Sequence, residues 1–161
     1  MFRLNRLTDY AVVVLAQMAQ RPERLVNAAQ MSQDTGLPQP TAAKVLNLLA
    51  KGGLIASQRG AAGGYSLARP AEQIDVAAII QTMDGPIALT ACVEAATDTC
   101  SVESLCPMRG NWERVNTAIR TALAGVTLAD MALPFAGLPQ GVPAQGVPDP
   151  AAADHARQAR A

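Results

Sequence analysis

Histidine is almost missing from this 161-residue chain: the single copy, His155, sits in a C-terminal stretch of repeated Pro, Gly and Ala. The folded part therefore has no imidazole for acid–base catalysis or for a metal cage. A tail of that composition would lose much chain entropy in delivering His155 to a site, so His155 is expected to be solvated. Aromatic residues are scarce as well, at 3% against 50% apolar residues overall. The core is then expected to be small-residue, aliphatic and helical. No apolar run reaches the roughly 18 residues that suggest a membrane span. The N-terminus is too polar for a secretory signal, so a cytoplasmic protein without a membrane partner is expected. There is no C-x-x-C and no carboxylate pair that can be placed as a catalytic site, which argues against an enzyme. Acids and bases balance, at 13 each, but unevenly. Residues 1–70 hold eight Lys/Arg against three Asp/Glu, and the remainder five against ten. A basic first half hints at an anionic partner.

All three cysteines lie between positions 92 and 106, spaced C-x7-C-x5-C among small, polar and acidic residues without helical or strand period. An odd, clustered count suits a disulfide framework poorly. Three thiolates on one loop can close around a soft metal or an iron–sulfur cluster. Three unrelated thiols, or one chance disulfide, would leave the same spacing.

Upstream the pattern is helical. Residues 7–20 predict a first helix, with Thr8 as its cap and Pro22 beyond its end. Asn27 caps a second helix that stops at Gly36 and Pro38. Residues 39–51 follow, with Pro40 early and Gly52-Gly53 at the end. Val45, Leu48 and Leu49 form an inward stripe, leaving Thr41, Lys44, Asn47 and Lys51 on the other face. Two short helices around a glycine turn suit a helix-turn-helix, although an ordinary helical hairpin shares the pattern.

Residues 54–67 then read as strand, glycine-rich tip and strand. After a recognition helix, such a hairpin is a wing. Arg59 at the base of its flexible tip can reach a phosphate or a narrow minor groove, and the glycines let backbone approach DNA closely. A nucleotide loop is the competing reading, but Gly60-Ala-Ala-Gly63-Gly64 matches neither the P-loop nor the dinucleotide fingerprint. Residues 74–84 predict a short helix with Asp75 near its start and Gly85-Pro86 at its end. Trp112, Val115, Ile119 and Leu123 stripe a further helix stopped by Gly125. Such an appended helix could pack on its own chain or build a two-fold dimer matched to a palindromic DNA site. Thr127 and Asp130 resemble a capping box.

The chain resembles the IscR/NsrR-like, Rrf-two-type winged-helix regulators that carry iron–sulfur clusters. The resemblance rests on Leu7-Thr8-Asp9-Tyr10-Ala11-Val12, Thr35-Gly36-Leu37-Pro38, Arg59-Gly60-x-x-Gly63-Gly64-Tyr65, Asp84-Gly85-Pro86, the three cysteines and Trp112. It covers residues 1–133. Cys106 to Trp112 and Leu128 to Met131 look most similar to the subgroup regulating the SUF iron–sulfur assembly operon. The resemblance implies a homodimer on palindromic, double-stranded promoter DNA, with cluster occupancy tuning its grip. It implies a repressor of iron–sulfur assembly or of iron- and redox-responsive genes. Carried over, Cys92, Cys100 and Cys106 are the cluster ligands. The DNA-facing set is Gln39, Thr41, Lys44, Asn47 and Lys51 of the recognition helix, with Arg59, Gly60, Gly63, Gly64 and Tyr65 of the wing.

Two departures matter. The first cysteine gap is seven residues where the IscR pattern has five, and Arg109 stands where that pattern has histidine. Asp9 matches an NsrR-like position that ligates across the dimer, but a carboxylate serving the helix dipole fits equally well. A two-iron and a four-iron cluster both remain open. The expected fold is mainly α with a small β-hairpin: a winged helix-turn-helix plus a C-terminal dimerisation helix. Its divisions are a DNA-binding domain over 1–86, a cysteine loop over 87–108, a dimerisation helix and short helix over 109–133, and a disordered tail over 134–161. The rivals are a DNA-binding protein holding zinc on the three cysteines and Asp9, a thiol-based or metal-free regulator, and a small iron–sulfur redox protein.

Overall fold

The computed structural model describes residues 4–60, 63–97, 100, 106, 108 and 110–132. The expected tail over 134–161, with His155, lies outside those residues, as does Arg109.

Six helices and one hairpin make up the described chain, and local chemistry starts most of them. Helix α1 spans Arg6–Ala19 and is capped by Asn5, whose side chain accepts the Thr8 N–H at 2.9 Å. The sequence pointed to Thr8 as the cap. Thr8 is instead fully buried, with its hydroxyl donating to Asn5 Oδ1 at 3.3 Å. Both residue types can cap, and packing around the first turn decides between them. Helix α2, Ala28–Thr35, opens on a reciprocal capping box. Gln30 N–H donates to Asn27 Oδ1 at 2.9 Å and Asn27 N–H to Gln30 Oε1 at 3.0 Å. Gly36 closes it in the left-handed region, φ 73°. Helix α3, Gln39–Lys51, has Pro40 in its first turn and ends at Gly52. The turn between α2 and α3 is pinned by the Ser32 hydroxyl, which donates to Leu37 O at 2.6 Å.

Strands β1 (Ile55–Gln58) and β2 (Gly64–Leu67) pair antiparallel, with Ile55 opposite Leu67 and Gln58 opposite Gly64. A 3-10 turn at Ala71–Gln73, absent from the sequence reading, leads to α4, Val76–Asp84. Asp75 caps α4 by accepting the Ala78 N–H at 2.7 Å. Helices α5 (Asn111–Ala124) and α6 (Leu128–Ala132) complete the chain. The Thr127–Asp130 box forms: Thr127 N–H and Oγ1 donate to Asp130 Oδ2 at 2.8 and 2.7 Å. In return, Asp130 N–H donates to Thr127 Oγ1 at 3.2 Å. The bonds from the Thr127 backbone and then its hydroxyl hold the Asp130 carboxyl below its ordinary range.

Helix α1 is the centre of the fold and packs on α2, α3, α4, α6 and β2. Its Ala11, Val14, Leu15 and Met18 join Met31, Val45, Leu46, Leu49, Leu54 and Ile79 in one aliphatic core. Burying each large aliphatic side chain contributes about 1.5–3 kcal/mol. Leu128 of α6 is fully buried in this same core, and its N–H donates to Ile74 O at 2.7 Å. A smaller cluster of Ala77, Ile80 and Ile87 lies under Ile119 and Leu123 of α5. The resulting architecture, mostly helix with a two-stranded antiparallel hairpin, is the fold class expected from the sequence. No described helix is long and apolar enough to cross a membrane.

Candidate DNA interface and cysteine loop

The inward side of α3 is fixed by Ala42, Val45, Leu46 and Leu49, all buried. That anchoring leaves Gln39, Lys44, Asn47 and Lys51 exposed and Thr41 half-buried. Leu46, which the sequence stripe omitted, is fully buried, whereas Leu48, which it included, is only partly so. No aspartate or glutamate occurs between Gln39 and Pro70, a stretch holding Lys44, Lys51, Arg59 and Arg69. Helix and hairpin therefore present basic groups with no local acid to neutralise them, as a polyanion-binding surface requires.

The hairpin is tied to this helix by core packing of Ile55 against the α3 aliphatics and by a side-chain hydrogen bond. Tyr65 on β2 donates its hydroxyl to Asn47 Oδ1 at 3.1 Å. The Tyr65 backbone also pairs with Val26, through Tyr65 N–H to Val26 O at 2.8 Å and Val26 N–H to Tyr65 O at 3.0 Å. The wing is thus fixed to the segment before α2 and to the exposed face of α3. At the tip, Arg59 and Gly60 are exposed and Gly60 takes φ 130°. Gly63 N–H donates to Gly60 O at 2.9 Å, and a Cβ on Gly63 would lie 2.5 Å from Gln58 O. A Cβ on Gly64 would press the Val26 carbonyl at 3.0 Å. The glycines at 60, 63 and 64 therefore answer steric and backbone demands of the hairpin.

Beyond α4, residues 88–97 run through turns without regular structure. Cys92, Cys100 and Cys106 are free and half-buried. Cys92 Sγ lies 3.2 Å from Thr90 Oγ1, a hydrogen bond in which either atom can donate. Among the described residues, no group of three or more His, Cys, Asp or Glu side chains is arranged to hold a metal ion. Asp9 is exposed in the first turn of α1. A single chain thus does not gather Asp9 and the three cysteines into a ready-made cage among those residues. The donor chemistry does fit an iron–sulfur group, with three free soft ligands within fifteen positions of sequence.

The sequence reading missed what holds this stretch down. Asn116 of α5 is fully buried. Its Nδ2 donates to Ile87 O at 3.0 Å and its Oδ1 accepts the Leu89 N–H at 3.2 Å. Glu113 Oε2 accepts the Glu94 N–H at 2.9 Å. A polar residue beside an amphipathic stripe ordinarily reads as solvent-facing, and its partners here are main-chain groups more than twenty residues away in sequence. Only the polar–apolar ambiguity of Asn116 between Val115 and Ile119 could have hinted at it. Of the expected α5 stripe, Ile119 and Leu123 pack inward, while Trp112 and Val115 are exposed.

A helix-turn-helix with an adjoining basic hairpin defines a winged-helix DNA-binding protein. Residues 4–133 match the Rrf2 family of iron-dependent transcriptional regulators, and the chain belongs to that family. Its relatives include the HTH-type transcriptional regulator NsrR of Halalkalibacterium halodurans, 28% identical over 130 residues that span 80% of this chain and 89% of that protein. The fold is similar to IscR of T. potens, with 30% identity and TM-score 0.58 over 81% of this chain and 85% of that one. It is also similar to CymR, the global cysteine regulator of B. subtilis, with 26% identity and TM-score 0.60 over 82% and 97%. Family membership makes the chain a transcriptional regulator rather than an enzyme.

Proposed function

We propose that this regulator binds palindromic promoter DNA as a homodimer and senses an iron–sulfur cluster held by its cysteine loop. The observation that carries the reading is three free, half-buried cysteines in one loop of an iron-dependent regulator family. Likeness to proteins named IscR and NsrR supports it. A bound cluster would supply a redox-active centre whose oxidation or loss releases its ligands. Cys92, Cys100 and Cys106 would hold it, with the partner subunit's Asp9 as the fourth ligand. Lys44, Lys51 and Arg59 would meet phosphates or groove edges, and Gln39, Thr41 and Asn47 base edges. Gly60, Gly63, Gly64 and Tyr65 would set how closely the wing approaches. The regulated genes would be those of iron–sulfur assembly, under repression.

A thiol-based regulator is a second reading. It is favoured by the same free thiols and by the likeness to CymR, the global cysteine regulator of B. subtilis. Anaerobic purification separates the two. The proposal expects brown protein containing iron and sulfide, and loss of the visible absorbance in Cys92→Ala. Colourless, iron-free protein from anaerobic cells would refute it, and stoichiometric zinc in that protein would identify a structural metal instead.

A further inference from the structure

Every residue of α5 is exposed or half-buried except one, and that one is polar. Burying a carboxamide is unfavourable unless both of its ends are bonded. Asn116 meets that demand with two main-chain groups: it donates to Ile87 O and accepts from Leu89 N–H. The side-chain amide thus pairs with the loop as a neighbouring strand would, reading residues two apart. One helical turn earlier, Glu113 accepts the Glu94 N–H. These two α5 residues, three apart, bracket Cys92: one grips the chain before it and the other the chain after it. The Ile87 side chain is buried with Ala77 and Ile80 of α4, under Ile119 and Leu123 of α5. Helix α4 in turn packs on α3. A continuous packed path therefore runs from the Cys92 segment through α5 and α4 to α3, whose other side carries exposed Lys44, Asn47 and Lys51.

We propose that Asn116, assisted by Glu113, is a positioning residue that transmits the state of Cys92 to the DNA-binding half. The proposal rests on the regulator reading above. It differs from a purely structural staple in predicting that its removal uncouples the two halves without dismantling either. Asn116→Leu keeps the approximate volume and removes both bonds. Glu113→Ala removes the exposed arm alone and serves if the first variant does not fold.

The test titrates a promoter duplex with cluster-loaded and stripped protein and takes the ratio of dissociation constants. For the wild type a ratio on the order of 5–150-fold is expected. In Asn116→Leu, helical circular dichroism and cluster absorbance are retained while the ratio falls to within about twofold of one. A second arm is independent of any cluster. Cys92 is alkylated with N-ethylmaleimide in a Cys100→Ser/Cys106→Ser background, and affinity is compared before and after. Alkylation is expected to change DNA affinity with Asn116 present and not with Asn116→Leu. A full ratio persisting in the folded variant overturns the proposal, as does alkylation that acts equally in both or in neither. Loss of the cluster in a folded Asn116→Leu also counts against it, because Asn116 would then only build the site. If loaded and stripped wild type bind equally, cluster sensing fails, and the alkylation arm alone decides the role of Asn116.

Discussion

Removing one oxygen atom, by Tyr65→Phe, isolates how the wing disciplines α3. The ring stays packed against the main core and the backbone bridge to Val26 is untouched. Only the hydroxyl donating to Asn47 Oδ1 is lost. Asn47 is exposed, so water replaces the donor and no buried acceptor is orphaned. The loss therefore stays within the ordinary net value of a hydrogen bond, about 0.5–1.5 kcal/mol. If Asn47 reads a base, freeing its amide weakens promoter binding by a comparable amount, roughly 2- to 13-fold, at RT of about 0.59 kcal/mol. Folding stability should fall by no more than that same amount, about 0.5–1.5 kcal/mol in chemical denaturation. The assay is fluorescence anisotropy on a labelled promoter duplex at fixed salt, since phosphate contacts make affinity salt-dependent. Asn47→Ala should cost about 1–3 kcal/mol if it removes a bidentate base contact. The double variant should bind no worse than Asn47→Ala alone, because the tyrosine acts only through the asparagine. Strict additivity of the two losses would refute the reasoning and make Tyr65 a direct DNA contact.

Arg59→Ala should weaken the same duplex by about 1–3 kcal/mol in a gel-shift titration. It should also lower the slope of log affinity against log salt by about one, whereas unchanged binding would remove the wing tip from the interface. Gly52→Ala should lower stability by about 1–3 kcal/mol in chemical denaturation, because its Cβ would overlap the Thr82 side chain on α4. Adding Thr82→Ala should restore most of that loss, and failure to do so would mean that α3 and α4 do not approach as closely as described.

Much of the fold could be read from the sequence because its helix ends are chemically local. Asn27, Asp75, Gly36 and the Thr127–Asp130 pair each act within a few residues, and each forms the cap or stop expected. Where two residues of one chemical type compete, as Asn5 and Thr8 do, local reasoning cannot choose. Burial of Thr8 in the core made the choice. Leu128 and Asn116 show the same limit at longer range. A five-residue helix gives no periodicity from which to place Leu128 in the central core. A polar side chain gives no sign that it will be satisfied by a main chain some 27–29 positions earlier. The exposed face of α3 was legible because the helix is amphipathic and free of acids. The wing was legible because its glycines answer close backbone approaches at the tip. The cysteine loop offered chemistry and not geometry: three thiols are able to ligate a soft metal, but no periodic pattern says how they sit relative to α5.

The coupling between the two halves is tested most directly by one comparison. Anaerobically reconstituted protein and chelator-stripped protein are titrated against the duplex upstream of the protein's own gene, at one salt concentration. A difference in affinity on the order of 5–150-fold is predicted. Equal affinity of the two forms, or no binding by either, would contradict the account.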